Sequence, residues 1–201
     1  SALSNKKIKL NCKVCQLVKL YKNGQPFKMS KRAGDFISVQ DLLSEVSKDS
    51  IRFMMLNRSN DVELDFDFEK VKEKTKDNPV FYVQYAYARI NSILRTLKIN
   101  FSDQITVDSN TFQPNEYEEK ILRKVFEWPK IIESAAYKME PHKIPFYLYE
   151  LSTLFHSYWS KGNEDSKFRL IQDGKIKKED SLAYIFLVAI VIKNGMNILG
   201  V

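Results

Sequence analysis

The chain has 201 residues, 44% of them hydrophobic, enough apolar side chain to bury a core, which excludes a disordered polypeptide. Its formal charge of +7 sits at the front: residues 1–60 carry 12 lysines and arginines against 4 acids, and residues 61–201 carry 20 against 21. A polyanion such as ATP or an RNA backbone is therefore favoured near the front segment, the plainer alternative being that the charges keep an exposed segment soluble.

Residues 8–20 alternate in part, through Ile8, Leu10, Cys12 and Val14 and then Leu17, Val18 and Leu20, and break at Lys22-Asn23-Gly24-Gln25-Pro26. The pattern predicts a strand, a turn and a short return strand. Cys12 and Cys15 form a lone Cys-x-x-Cys. Zinc needs four ligands and only the distant His142 and His156 could add to them, so two reduced, half-buried thiols are expected and no metal site is assigned.

The return strand leads into Phe27-Lys28-Met29-Ser30-Lys31-Arg32-Ala33-Gly34. Two lysines three apart around a small hydroxyl residue place mobile ammonium groups where phosphates could be gripped, and a lysine on a flexible stem can follow developing charge. Composition alone allows a solvated basic turn equally well. The order Lys-Met-Ser-Lys-Arg resembles the Lys-Met-Ser-Lys-Ser loop of class I aminoacyl-tRNA synthetases, with Arg32 in the last place. Within that class the chain is similar to arginyl-tRNA synthetases in Arg32-Ala33-Gly34-Asp35-Phe36, in Asp41 to Val46, in Asp49 to Phe53, in Leu64-Asp65-Phe66-Asp67 and from Asn78 to Arg89.

From Ser38 the periodicity is helical: Val39, Leu42, Leu43 and Val46 repeat at three and four, as do Ile51, Met54 and Met55. Ser38 or Asp41 could cap the first helix, and the second starts near Lys48-Asp49. Residues Asp65 to Asp77 read as a third, heavily charged helix. Asn78-Pro79 reads as an N-cap followed by proline at the first helical position, opening a long helix to about Lys98. Ser102 to Asn115 is a linker or surface loop. Glu116 to Glu127 and Lys130 to Met139 are helices broken at Pro129, and Pro141 begins another that ends near Lys161-Gly162. After a connection through Asp173-Gly174, Asp180 or Ser181 caps a last apolar helix to Leu199, with Gly200 past its end. Its apolar run, Leu182 to Ile192, is too short to span a bilayer.

On the long helix Val83, Ala86, Ile90, Ile93, Leu94 and Leu97 form one apolar stripe, with Tyr82, Tyr85 and Arg89 on its flank. Such a trio either stacks and hydrogen-bonds unstacked bases or merely edges the core with wet hydroxyls. The resemblance implies the first role, as anticodon contacts, and extends it to the second aromatic pair, Tyr158 and Trp159, for one of which a core role stays open. No chemistry is assigned to His142, and His156 is expected to be structural.

The resemblance further implies a mainly α fold: residues 1–37 as the β-containing end of a Rossmann-like catalytic domain, 38–77 as connecting helices and 78–201 as a helical anticodon-binding domain. Lys31 would be the catalytic residue, stabilising the pyrophosphate leaving group, with Lys28 and Ser30 also on ATP. The implied partners are ATP with Mg²⁺, arginine and tRNA(Arg), for a cytoplasmic, monomeric ligase without membrane attachment. The His-x-Gly-His signature of the class is absent from the 201 residues, so they are expected not to aminoacylate alone. The rival reading is a freestanding helical RNA-binding or scaffold module without catalysis.

Overall fold

A computed structural model describes residues 10–27, 37–101, 103, 105, 107 and 113–201. Strand β1 (Val18–Lys22) turns at Asn23-Gly24 and pairs antiparallel with β2 (Gln25–Pro26). Asn23 and Gly24 have φ of +53° and +72°, the left-handed backbone that a two-residue hairpin turn demands and that Asn-Gly supplies at least strain. The strand is shorter than the alternation predicts: Leu10, Val14 and Leu17 lie before it and are exposed. Cys12 and Cys15 are exposed as well, not half-buried.

Ser38 caps α1 (Val39–Glu45) through a reciprocal box in which the Asp41 N–H donates to Ser38 Oγ at 3.1 Å and the Ser38 N–H donates to Asp41 Oδ2 at 2.9 Å. Helix α2 (Lys48–Leu56) is capped by Ser47. The chain then returns as β3 (Leu64–Asp67), parallel to β1 in the register Val18↔Leu64 to Tyr21↔Asp67. The helix expected over 65–77 is therefore a strand followed by a single 3-10 turn, Lys70–Lys72. The reason is the period-two alternation Leu64-Asp65-Phe66-Asp67-Phe68, which buries Leu64, Phe66 and Phe68 against Leu42, Val46 and Val71. The lysines and glutamates that follow favour helix individually but supply no apolar stripe to dock one.

Asn78 precedes Pro79 of α3 (Pro79–Leu97) as expected, yet its side chain caps nothing. Its amide instead donates to the carbonyls of Val71 at 2.9 Å and Glu73 at 2.8 Å, tying the 3-10 turn to the long helix. The predicted stripe is buried from Val83 to Leu94, with Leu97 partly so. Helices α6 (Lys143–Glu164) and α7 (Glu179–Leu199) pack directly on α3, while α4 (Glu116–Phe126) packs on α6 and α7, and α5 (Trp128–Lys138) on α4 and α6. Between α6 and α7 the connection forms a further hairpin, β4 (Ile171–Gln172) and β5 (Lys175–Ile176), turned at Asp173-Gly174 with φ of +51° and +73°.

The last helix is longer in its apolar character than the run Leu182 to Ile192. The helix over Asp180–Leu199 is long and apolar enough, by length and composition, to cross a bilayer. Packing explains that composition: Tyr184, Ile185, Val188, Ala189 and Ile192 are buried among α3, α4 and α6, as a helix surrounded on several sides requires. Its N-cap is Lys178, not Asp180 or Ser181. At the other end Gly200 takes φ +73°, and the Arg52 guanidinium donates to the Leu199 carbonyl at 2.9 Å, a cation at a helix C-terminus. With Phe53 fully buried in the bundle core, α2 joins the small sheet unit to the bundle.

At the centre of the bundle Glu118 is completely buried. Its carboxylate accepts from the Asn115 N–H at 2.9 Å, the Tyr158 hydroxyl at 2.8 Å, the Ser181 hydroxyl and the Lys178 ammonium at 3.3 Å, so one side chain links α4, α6 and the start of α7. Replacing it with alanine leaves a buried phenol, a hydroxyl and a cation without their acceptor. Glu118→Ala should lower the unfolding free energy by about 3–5 kcal/mol in urea titration, and Glu118→Gln by clearly less.

Candidate nucleic-acid interface

The flank of α3 meets α6 along Tyr82, Tyr85 and Arg89 on one side and His156 and Trp159 on the other. His156 is 6% exposed and lies beneath the trio. Its Nε2 donates to the Tyr82 carbonyl at 3.1 Å, and its Nδ1 faces an Arg89 Nη at 3.3 Å. A carbonyl can only accept and a guanidinium can only donate, which fixes the neutral imidazole with its proton on Nε2. The ring also lies 4.4 Å from that of Tyr82 and 5.4 Å from that of Tyr85, centroid to centroid.

Held this way, the Arg89 guanidinium lies 4.4 Å from the Tyr85 ring centre and 5.2 Å from that of Trp159, and it donates to the Tyr85 hydroxyl. Phe81 stacks on Tyr85 at 5.6 Å and an interplanar angle of 10°. Tyr85 is 41% exposed. Among the described residues no carboxylate pairs with Arg89. A groove of about 490 Å³ opens beside this ladder, lined by Tyr85, Arg89, Ser92, Thr96, Trp159 and Ile171. Its chemistry is π-faces with a guanidinium and two hydroxyls, which suits planar, acceptor-rich ligands.

The five residues expected on this surface divide. Tyr85, Arg89 and Trp159 come together at the groove. Tyr82 is partly buried between His156 and Tyr149, whose ring centre is 5.2 Å away, and burial raises its hydroxyl pKa. Tyr158 is a correction: it is 3% exposed and points into the bundle, its hydroxyl bonded to Glu118 and receiving the Asn115 amide, so it offers no face to a base. Its place in the stripe Leu151, Phe155, Tyr158, at i, i+4 and i+7, is the sequence signal for that. His156, expected to be structural, ties the Tyr82 carbonyl to the Arg89 guanidinium from beneath. Its spacing of three from Trp159 puts both on one face of α6, a cue visible in sequence once Trp159 is suspected. Lys28, Ser30 and Lys31 lie outside the described residues.

Residues 83–201 match the DALR anticodon binding domain. Over its whole length the chain is 56% identical to the arginine–tRNA ligase of Pelagibacter ubique and 49% identical to that of Ruegeria pomeroyi, covering 35% and 36% of those proteins. The chain thus spans about a third of the curated relatives it matches. Among solved structures, one assigned as an arginyl-tRNA synthetase from Campylobacter jejuni aligns with 93% of this chain and 39% of its own, at a TM-score of 0.78 and 29% identity. The Thermus thermophilus arginyl-tRNA synthetase shares the fold over 85% of this chain and 28% of its own, at a TM-score of 0.59 and 20% identity.

Burial lowers the His156 pKa below the ordinary histidine value, the Arg89 charge adds to that, and the hydrogen bond to the Tyr82 carbonyl opposes it. As pH falls, the unfolded chain therefore takes up this proton before the folded chain does. The stability from neutral His156 is fully present above the ordinary histidine range and is lost as pH drops through the lowered folded value. The unfolding free energy should decline from neutral towards mildly acidic pH, and the parent-minus-variant difference for His156→Gln should carry that slope. A difference flat with pH would contradict a lowered His156 pKa in the folded protein.

Proposed function

We propose, from the premise that the chain belongs to the DALR anticodon-binding domain family, that it is the C-terminal part of an arginine–tRNA ligase whose α3–α6 surface holds unstacked anticodon-loop bases of tRNA(Arg). The observation that carries this reading is the Arg89 guanidinium placed over both Tyr85 and Trp159 at the rim of an open groove. A base can stack on the exposed tyrosine while the guanidinium donates to its edge or to a phosphate, which is how single-stranded RNA is gripped without a duplex. Its relatives are arginine–tRNA ligases along the entire chain, which disfavours a freestanding scaffold.

In the whole enzyme the arginine carboxylate attacks the α-phosphate of ATP, releasing pyrophosphate, and the 2′-hydroxyl of the terminal tRNA ribose then takes the arginyl group, releasing AMP. Mg²⁺ accompanies ATP as part of the substrate. Lys31 stabilises the charge that builds on the departing pyrophosphate, and Lys28 and Ser30 hold the phosphates from the same loop. Residues 1–37 close the catalytic domain, 38–77 connect, and 78–201 bind the anticodon. The enzyme works as a cytoplasmic monomer.

Two measurements test the reading. Tyr85→Ala should weaken binding to an anticodon stem-loop by about 1–3 kcal/mol through loss of one stacking face, with Tyr85→Phe close to the parent and both variants melting like it. A Tyr85→Ala protein that melts several degrees lower yet binds as tightly would mean the ring merely edges the core. In the full-length ligase Lys31→Ala should abolish most adenylate formation while leaving tRNA affinity intact; a rate within a few-fold of the parent would remove Lys31 from catalysis.

A further inference from the structure

Beyond Trp159 the groove continues into a second cavity, of about 280 Å³, between the end of α6 and the backbone of residues 168–171. The two cavities share Trp159 and Ile171. Gly162 makes the second one possible. A Cβ there would lie 2.9 Å from the Phe168 carbonyl oxygen and 3.0 Å from Arg169 Cα, so the returning backbone rests directly on the helix, as only glycine allows.

Arg169 forms the polar wall. Its Nε donates to the Gly162 carbonyl at 3.2 Å, which fixes the root of the guanidinium, while the side chain is exposed and pairs with no carboxylate among the described residues. Asn163 adds an exposed amide, and Trp159 and Phe168 add aromatic walls. No acidic residue lines the cavity. The surrounding stretch, residues 166–178, carries five lysines and arginines against one aspartate. Donors, π-faces and positive charge select an anionic ligand with a planar, acceptor-rich part, and a cavity near the lower end of ligand-site volumes holds a single such unit. A basic peptide would find no carboxylate in the cavity wall.

We infer that this cavity is a second nucleotide subsite, taking the residue of the RNA strand next to the one stacked on Tyr85 and Arg89, with its base beside Trp159 and its acceptor oxygens on Arg169. The inference rests on the platform reading and adds to it a specific neighbour, reached across the shared tryptophan. It gives the hairpin of β4 and β5 a task, since that hairpin holds Ile171 and the basic stretch against the end of α6.

The test measures binding of the 201-residue chain to a short RNA stem-loop with an anticodon-sized loop, and to versions carrying one abasic nucleotide at each loop position in turn. Arg169→Gln should weaken binding roughly tenfold, with Arg169→Lys intermediate because it keeps the charge and loses the fork. One abasic position should weaken the parent and have no further effect on Arg169→Gln, and an adjacent position should behave the same way with Arg89→Ala. If Arg169→Gln melts below the parent, Asn163→Ala, whose exposed amide makes no hydrogen bond among the described residues, supplies the same comparison. The subsite is overturned if these variants bind within about twofold of the parent, or if they lose the same factor at every abasic position, as a charge acting at long range would. A parent chain that does not bind the stem-loop, or an Arg89→Ala variant that binds it unchanged, defeats the platform reading instead and the subsite with it.

Discussion

One buried carboxylate fixes how the bundle is turned. Glu118 accepts four hydrogen bonds in a site closed to water, and an unmatched charge there would be too costly to tolerate. Because the Tyr158 hydroxyl must reach it, α6 cannot rotate about its axis. Neighbours on a helix diverge by about 100°, so with Tyr158 held inward, Trp159 is thrown towards α3, with His156 on the same face one turn earlier. The surface on which Arg89 is stacked is therefore set from the other side of the helix, by a glutamate that never meets a ligand.

His156 converts that placement into chemistry. A guanidinium on an open helix face would sample many rotamers, and ordering it when RNA binds would cost affinity. Here the imidazole nitrogen accepts one of its hydrogens and the ring centres of Tyr85 and Trp159 lie 4.4 and 5.2 Å from the guanidinium, so most of that ordering is already done in the free protein. Residues 61–201 are nearly neutral in sum, yet among the described residues no carboxylate pairs with Arg89 or Arg169 at the two adjoining cavities. Local arrangement, not net charge, makes this part of the chain attractive to a polyanion.

The front segment and the bundle are joined by a different device. Helix α2 spends Phe53 on the bundle core and Arg52 on the C-terminus of α7, while Ile51, Met54 and Met55 pack on the sheet side. Asn78 adds a second tie, from the start of α3 to the turn after β3. These ties set the position of the α3–α6 surface relative to the small sheet of β1, β2 and β3.

Much of this was legible in the sequence because it is local. The Asn23-Gly24 hairpin, the caps at Ser38 and Gly200, the proline opening α3 and the stripe from Val83 to Leu94 each follow from backbone preferences or from period alone. The motifs around Lys28 to Gly34 and Asn78 to Arg89 carried the family. Residues 64–68 also held their strand signal, masked by the charged stretch behind them, and only the open edge of β1 decided between strand and helix. What tertiary structure alone decided is pairing across the chain. That Tyr158 turns to a glutamate 40 residues earlier, that His156 meets an arginine 67 residues away, and that Gly162 admits the backbone of Arg169 depends on how α6 is rotated and seated. No stretch of sequence contains that rotation, because it is the joint solution of packing and hydrogen bonding among α3, α4, α6 and α7.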